Sequence, residues 1–133
     1  MTVQNAIPKK PIFLSYYFRC KPCDLFFMLH EPNALETWLA EKVRFDAKTN
    51  IFTFTWNKTQ EQAQITEIDK KYYILAWEWL GEHNKGEQIR FQVALSDDKE
   101  HTELIIEDYC EQGDEKMYRQ HWDKIIDRLV LTV

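Results

Sequence analysis

Cys20-Lys-Pro-Cys23 places two thiols two residues apart, just ahead of a segment with helical spacing. A helix N-terminus can lower a thiol pKa, and that is the setting in which such pairs exchange disulfides. Redox pairs of this type follow a strand in a strand–helix–strand unit, which the sequence here does not offer. A structural zinc needs four ligands, and neither Cys110 nor the four His supply a second ligand pair. The plainer reading is a turn with two partly buried thiols and no metal site. His121 lies one residue before Trp122, on the flank of an apolar helical stripe, and could face an interior as acid or base; a solvated flank is the plainer reading. Asp108 continues the face of Leu104 and Ile106. A carboxylate aimed inward next to His121 would suit proton transfer or hydrolysis, whereas an Asp at an open sheet end would simply sit in water. Glu78 alternates outward, and His30, His83 and His101 fall at a helix end or in loops, where solvation is expected. There is no Ser-His-Asp order, G-x-S-x-G, phosphate loop, G-x-G-x-x-G or H-E-x-x-H. No residue is assigned a catalytic role, and no cofactor is implied.

The aromatic residues carry more information. Phe52, Phe54, Trp56, Trp77, Trp79, Tyr118 and Trp122 recur at inward spacings, and five Trp in 133 residues is high. Aromatics line ligand pockets, and they also fill cores. If they pack on one another, any cavity is small or closed.

The elements that must position these residues follow from periodicity. Residues 1–10 read as a loose leader set off by Pro8 and Pro11, and Ile12 to Arg19 as a strand. Leu25, Phe26 and Leu29 give a short helical face. Leu35, Trp38 and Leu39 give a second one beyond Pro32. Strands follow at Val43–Asp46, at Ile51–Trp56 with strict alternation, and at Gln62–Ile68. The next has Tyr73, Leu75, Trp77 and Trp79 on one face. Two more carry Ile89, Phe91, Val93 and Leu95, then Thr102, Leu104, Ile106 and Asp108. Gly113-Asp114 starts a last helix, with Asp114 as N-cap. Tyr118, Trp122, Ile125, Ile126 and Leu129 form its apolar stripe. Burying five such side chains contributes on the order of 10 kcal/mol before opposing terms, so this helix should be docked along its length. The order predicts an α+β domain: one strand, two short helices, about six antiparallel strands and a long helix that covers the sheet.

Size and charge narrow the classes. A chain of 133 residues reads as a single domain, 1–133, able to bury a core without disulfides. The net charge is −5, with no Lys/Arg cluster, which argues against nucleic acid as a partner. No apolar run approaches the roughly 20 residues of a membrane span. The start lacks a cleavable signal pattern, and three Cys show no disulfide spacing, so a cytoplasmic location is the expectation.

Three motifs, in this order, resemble the START-like (SRPBCC) superfamily and its helix-grip fold. Within it, the chain is most similar to bacterial relatives of the activators of the heat-shock-protein-90 ATPase. Pro22, Leu25, Phe26, Leu29, Pro32, Leu35, Trp38 and Leu39 match the family's P-x-x-[VL]-[FW]-x-x-[LW]-x-x-P-x-x-[LM]-x-x-W-[LFW]. Thr102, Leu104 and Ile106 resemble its T-x-L-x-L strand, and Trp122, Ile126 and Leu129 its W-x-x-x-[LI]-x-x-L helix. Many relatives carry two adjacent Trp where this chain has Trp38-Leu39. The resemblance runs from about Pro11 to Val133. It implies a curved antiparallel sheet wrapped on a long C-terminal helix, two short helices after the first strand, and an apolar cavity between sheet and helix. The ligand wall expected on that basis is Phe26, Leu29, Trp38, Phe54, Trp56, Leu75, Trp77, Phe91, Leu104, Ile106, Tyr118, His121 and Trp122. The leading expectation is a module binding an apolar small molecule or lipid-like ligand. An enzyme of the same fold (cyclase, isomerase or hydrolase on an apolar substrate) and a chaperone-associated regulator are the alternatives. Neither the ligand nor the oligomeric state follows from the sequence.

Overall fold

The computed structural model describes residues 9–133. Seven strands form one antiparallel sheet: β1 (Lys9–Phe18), β2 (Lys42–Asp46), β3 (Ile51–Trp56), β4 (Thr59–Asp69), β5 (Ile74–Trp79), β6 (Gln88–Leu95) and β7 (Thr102–Glu111). Helices α1 (Pro22–His30) and α2 (Pro32–Trp38) lie between β1 and β2, and α3 (Glu115–Thr132) ends the chain. The spatial order is β1-β7-β6-β5-β4-β3-β2. From β2 to β7 each strand pairs with the next in sequence. Only β1 crosses the chain, to pair with β7 from Lys9↔Glu111 to Phe18↔Thr102.

Alternation places Phe52, Phe54, Leu75, Trp77, Phe91, Leu104 and Ile106 on one face, each at most 1 % exposed. Trp122, Ile125, Ile126 and Leu129 of α3 are buried against that cluster, as is the α1–α2 pair through Leu25, Leu29 and Leu35. β4 carries one extra residue between Ile65 and Glu67, a bulge that adds bend to the sheet. Pro22 and Pro32 each open a helix, where a missing N–H costs nothing. Glu31, in extended backbone, is both the end of α1 and the start of α2.

Several boundaries differ from the sequence-based expectation. Of the expected leader, residues 1–8 lie outside the described residues, while Lys9 and Lys10 already belong to β1. Pro11 is accommodated because β1 is an edge strand, free of a ladder on its outer side. β4 starts at Thr59, sooner than its apolar pattern suggests, because a two-residue turn fixes Trp56 opposite Thr59. Tyr73 is not part of β5: it takes a φ of 56° in the preceding turn. β7 runs on to Glu111, carrying Cys110 into the core. Asp114 holds the N-cap position but makes no side-chain cap; the Glu115 carboxylate accepts the Gly113 N–H at 3.0 Å instead.

Candidate functional site

A cavity of about 270 Å³ opens between the inner face of the sheet and the first half of α3. Helix α3 contributes Tyr118, Trp122 and Ile125, about one turn apart on the side that faces the sheet, and His121 on the exposed flank beside them. Trp56 of β3, Trp77 and Trp79 of β5, and Ile89 of β6 form the opposite wall. Leu39 closes one side. The β5–β6 loop supplies His83, Asn84 and Glu87, and Lys9 of β1 stands beside them. The sheet register places Trp77 opposite Ile89 and Ile12 opposite Asp108, so Asp108 lies in the inner-face row of β7 between Ile106 and Cys110.

Asp108 is the chemically distinctive member. Its Oδ2 accepts the Trp122 indole N–H at 3.0 Å, and its Oδ1 accepts the Tyr109 backbone N–H at 2.7 Å. Burial pushes its carboxyl above the usual carboxylate range; the two donors and His121 act in the opposite direction, and Glu87 adds to the rise. Glu87 is itself ion-paired with Lys9 at 2.8 Å, and that bond raises the Lys9 pKa. The Tyr118 hydroxyl is also raised, chiefly by burial and then by Asp108. His121 stands exposed at the mouth, as does His83, which contacts Glu61 at 3.1 Å.

The tryptophans differ in how their N–H groups are satisfied. Trp38 donates to the Met28 carbonyl at 2.9 Å, Trp56 to the Leu39 carbonyl at 2.6 Å, and Trp122 to Asp108. Trp77, 1 % exposed, keeps a buried Nε1–H with no partner among the described residues. A buried donor left unpaired costs about 1–3 kcal/mol.

Of the residues proposed from the sequence, Trp56, Trp77, Tyr118, His121 and Trp122 border this cavity. Phe26, Leu29, Trp38, Phe54, Leu75, Phe91, Leu104 and Ile106 lie in the packed interior behind it, each at most 3 % exposed. Phe54, Trp77 and Phe91 form a chain of ring contacts, with centroids 5.5 Å and 5.1 Å apart, so this part of the interior is filled by aromatics. The sequence reading passed over Lys9, Asn84 and Glu87. Loop and edge residues carry no periodicity to mark them, and they reach the cavity only through β1–β7 pairing and the fold of the β5–β6 loop.

The remaining candidates lie outside this cavity. Cys20 is half-buried and Cys23 exposed. Burial, Asp24 and Cys23 all push the Cys20 thiol up, away from the lowered pKa that thiol chemistry needs. The Cys20 carbonyl accepts a hydrogen bond from the fully buried Thr102 hydroxyl, which ties the β1–α1 turn to the start of β7. His30 is not solvated as expected: it packs on Phe26 with ring centroids 5.0 Å apart, and burial lowers its pKa. Asp98, Glu100 and His101 cluster in the β6–β7 turn, where Asp98 accepts the Glu100 N–H at 2.8 Å and contacts His101 Nδ1 at 2.9 Å. Those bonds shape the turn. Among the described residues, no helix is long and apolar enough to cross a membrane.

A curved antiparallel sheet closed on one terminal helix, with two short helices after the first strand and a cavity between the layers, defines the helix-grip class. The chain belongs to the START-like superfamily, whose domain model matches residues 7–133. Similar solved structures include a protein from Bacteroides fragilis, 27 % identical with a TM-score of 0.66, covering 93 % of this chain and 90 % of that one. The Aha1 dimer from Colwellia psychrerythraea is 15 % identical, with a TM-score of 0.74 over 90 % of this chain and 92 % of the other. CalU16 from Micromonospora echinospora is 14 % identical, with a TM-score of 0.69 over 92 % and 73 %. At identities this low, the latter two speak to the fold alone. None of the curated proteins matches the chain.

Proposed function

We propose that this protein is a binding module that holds a small, largely apolar molecule in the cavity between its sheet and its C-terminal helix. The observation that carries this reading is the cavity itself: about 270 Å³, walled by Trp56, Trp77, Trp79, Tyr118 and Trp122. Aromatic walls with a few convergent polar groups are the usual make-up of small-molecule sites. The volume falls just below the ~300 Å³ at which such pockets begin, which favours an occupant of one or two rings over a long acyl chain. The aromatic packing behind it supports the same limit on size, since Phe26, Leu29, Trp38, Phe54, Leu75, Phe91, Leu104 and Ile106 then back the wall without touching the ligand.

Native mass spectrometry of the purified protein, followed by denaturing extraction, tests the reading. A stoichiometric small apolar adduct is the expected result. A clean mass, together with no thermal shift across a panel of one- and two-ring compounds, would overturn it in favour of a filled core with a protein-binding role.

A second reading, an enzyme of the same fold, is favoured by one observation: Asp108 and His121 border the same cavity, and the Asp108 carboxyl is raised. It predicts turnover of the extracted molecule that is abolished in both Asp108→Asn and His121→Gln.

A further inference from the structure

The charges around the cavity do not balance. Glu87 is neutralised by Lys9. Glu61 faces His83. Asp108 makes no ion pair among the described residues; its two bonds come from the neutral donors Tyr109 N–H and Trp122 Nε1–H, and the exposed His121 acts on it through space without a hydrogen bond. Each carboxylate oxygen accepts one bond there and has capacity for another. Ile12 lies directly opposite on β1 and the Trp122 indole is hydrogen-bonded to it, with Glu87 and His121 near enough to act on its charge. A carboxylate in such a setting is costly unless a positive charge joins it. The wall of the same cavity carries the rings of Trp77, Trp122 and Tyr118, and aromatic faces attract cations.

We infer that the molecule held here is a small aromatic amine, whose ammonium group sits on the Asp108 carboxylate among the tryptophans while its apolar body fills the rest of the cavity. This inference rests on the reading that the cavity takes an occupant, and it narrows the chemical class of that occupant. The ammonium supplies the countercharge that Asp108 lacks and offers donors to its free lone pairs. The surrounding rings stabilise the same charge, and they do so more strongly away from water. A hydroxyl in the same place would meet the lone pairs but leave the charge unpaired. A second carboxylate would add like-charge repulsion to that of Glu87.

Three probes with one phenoxy body and different end groups separate these cases: 2-phenoxyethylamine, 2-phenoxyethanol and phenoxyacetate. Their binding is read by isothermal titration calorimetry and by tryptophan emission. The amine should bind about tenfold tighter than the alcohol or better, with the carboxylate weakest. Asp108→Asn should bring the amine's affinity down to that of the alcohol. An alcohol that binds as tightly as the amine overturns the charge assignment and leaves the cavity reading standing. Silence from all three probes at millimolar concentration removes both. The ratio of amine to alcohol on the unaltered protein decides by itself if Asp108→Asn does not fold.

Discussion

Asp108 shows what a single position takes from its strand and what it takes from elsewhere. Its inward direction follows from alternation with Leu104 and Ile106, so it was legible in the sequence. Its partner was not: Trp122 lies on another element, and the bond between them exists only because α3 docks on β7. The pH dependence follows from the direction of its shift. In the unfolded chain the carboxyl titrates near 3.8; in the folded protein burial raises it. Between those two values the folded state binds more protons than the unfolded one, so stability falls as pH rises. The contribution is fully present below about 3.8 and is lost as pH climbs through the raised value. Asp108→Asn should therefore gain thermal stability relative to the unaltered protein between pH 3 and pH 7. Melting curves that stay parallel over that range would contradict the assignment. His30 has the opposite sign. Burial against Phe26, helped by Lys70, lowers its pKa from 6.5, so its contribution is present above 6.5 and lost on acidification. His30→Gln should lessen the loss of stability between pH 7 and pH 5, read from the same melts.

At the scale of elements, helix α3 is the clearest case of a pattern that folds as written. Its stripe of Trp122, Ile125, Ile126 and Leu129 is the face that the structure buries. Leu129, fully buried, and Leu131, 85 % exposed, make an internal control two residues apart. Leu129→Ala should cost about 2–5 kcal/mol in denaturant unfolding. Leu131→Ala should stay within about 0.5 kcal/mol. Equal costs at the two positions would mean that α3 is not docked as described. Its outer flank is also fastened, since the Tyr16 hydroxyl of β1 donates to Asp123 at 2.8 Å and has its pKa raised by burial and by that bond. The strand ends were harder to read. Lys9, Lys10 and Pro11 look unlike a strand, and only their pairing with Glu111, Cys110 and Tyr109 makes them one. That information is not local. The same holds for the cavity: its helix and strand residues could be read from periodicity, whereas Lys9, Asn84 and Glu87 arrive through loop geometry and β1–β7 pairing.

For the molecule as a whole, the sheet and its helices share one cluster of buried side chains, from Leu14 on β1 to Leu129 on α3. A cluster shared by every layer predicts one cooperative unfolding transition, with coincident midpoints by tryptophan emission and far-ultraviolet circular dichroism. Separate midpoints would show that β1 or α3 leaves the sheet independently. Family and fold were legible at this scale because they rest on the order and spacing of elements, which Pro22, Pro32, Thr102 and Trp122 mark in the chain. The occupant of the cavity was not, because it depends on a charge balance that only the assembled walls define.

The pairing of β1 with β7 has a consequence during synthesis. Phe18 leaves the ribosome long before Thr102, its partner across the ladder, has been made. At ~5–20 residues per second the wait is on the order of ten seconds. For that time a nascent segment carrying Ile12, Leu14 and Phe18 at alternate positions has no native neighbour, while the hairpins from β2 onward can close as they emerge. Of the described strands, the first to be made is thus the last to find its place, and translation speed, as much as equilibrium stability, sets how long this chain is open to mispairing with its neighbours on a polysome.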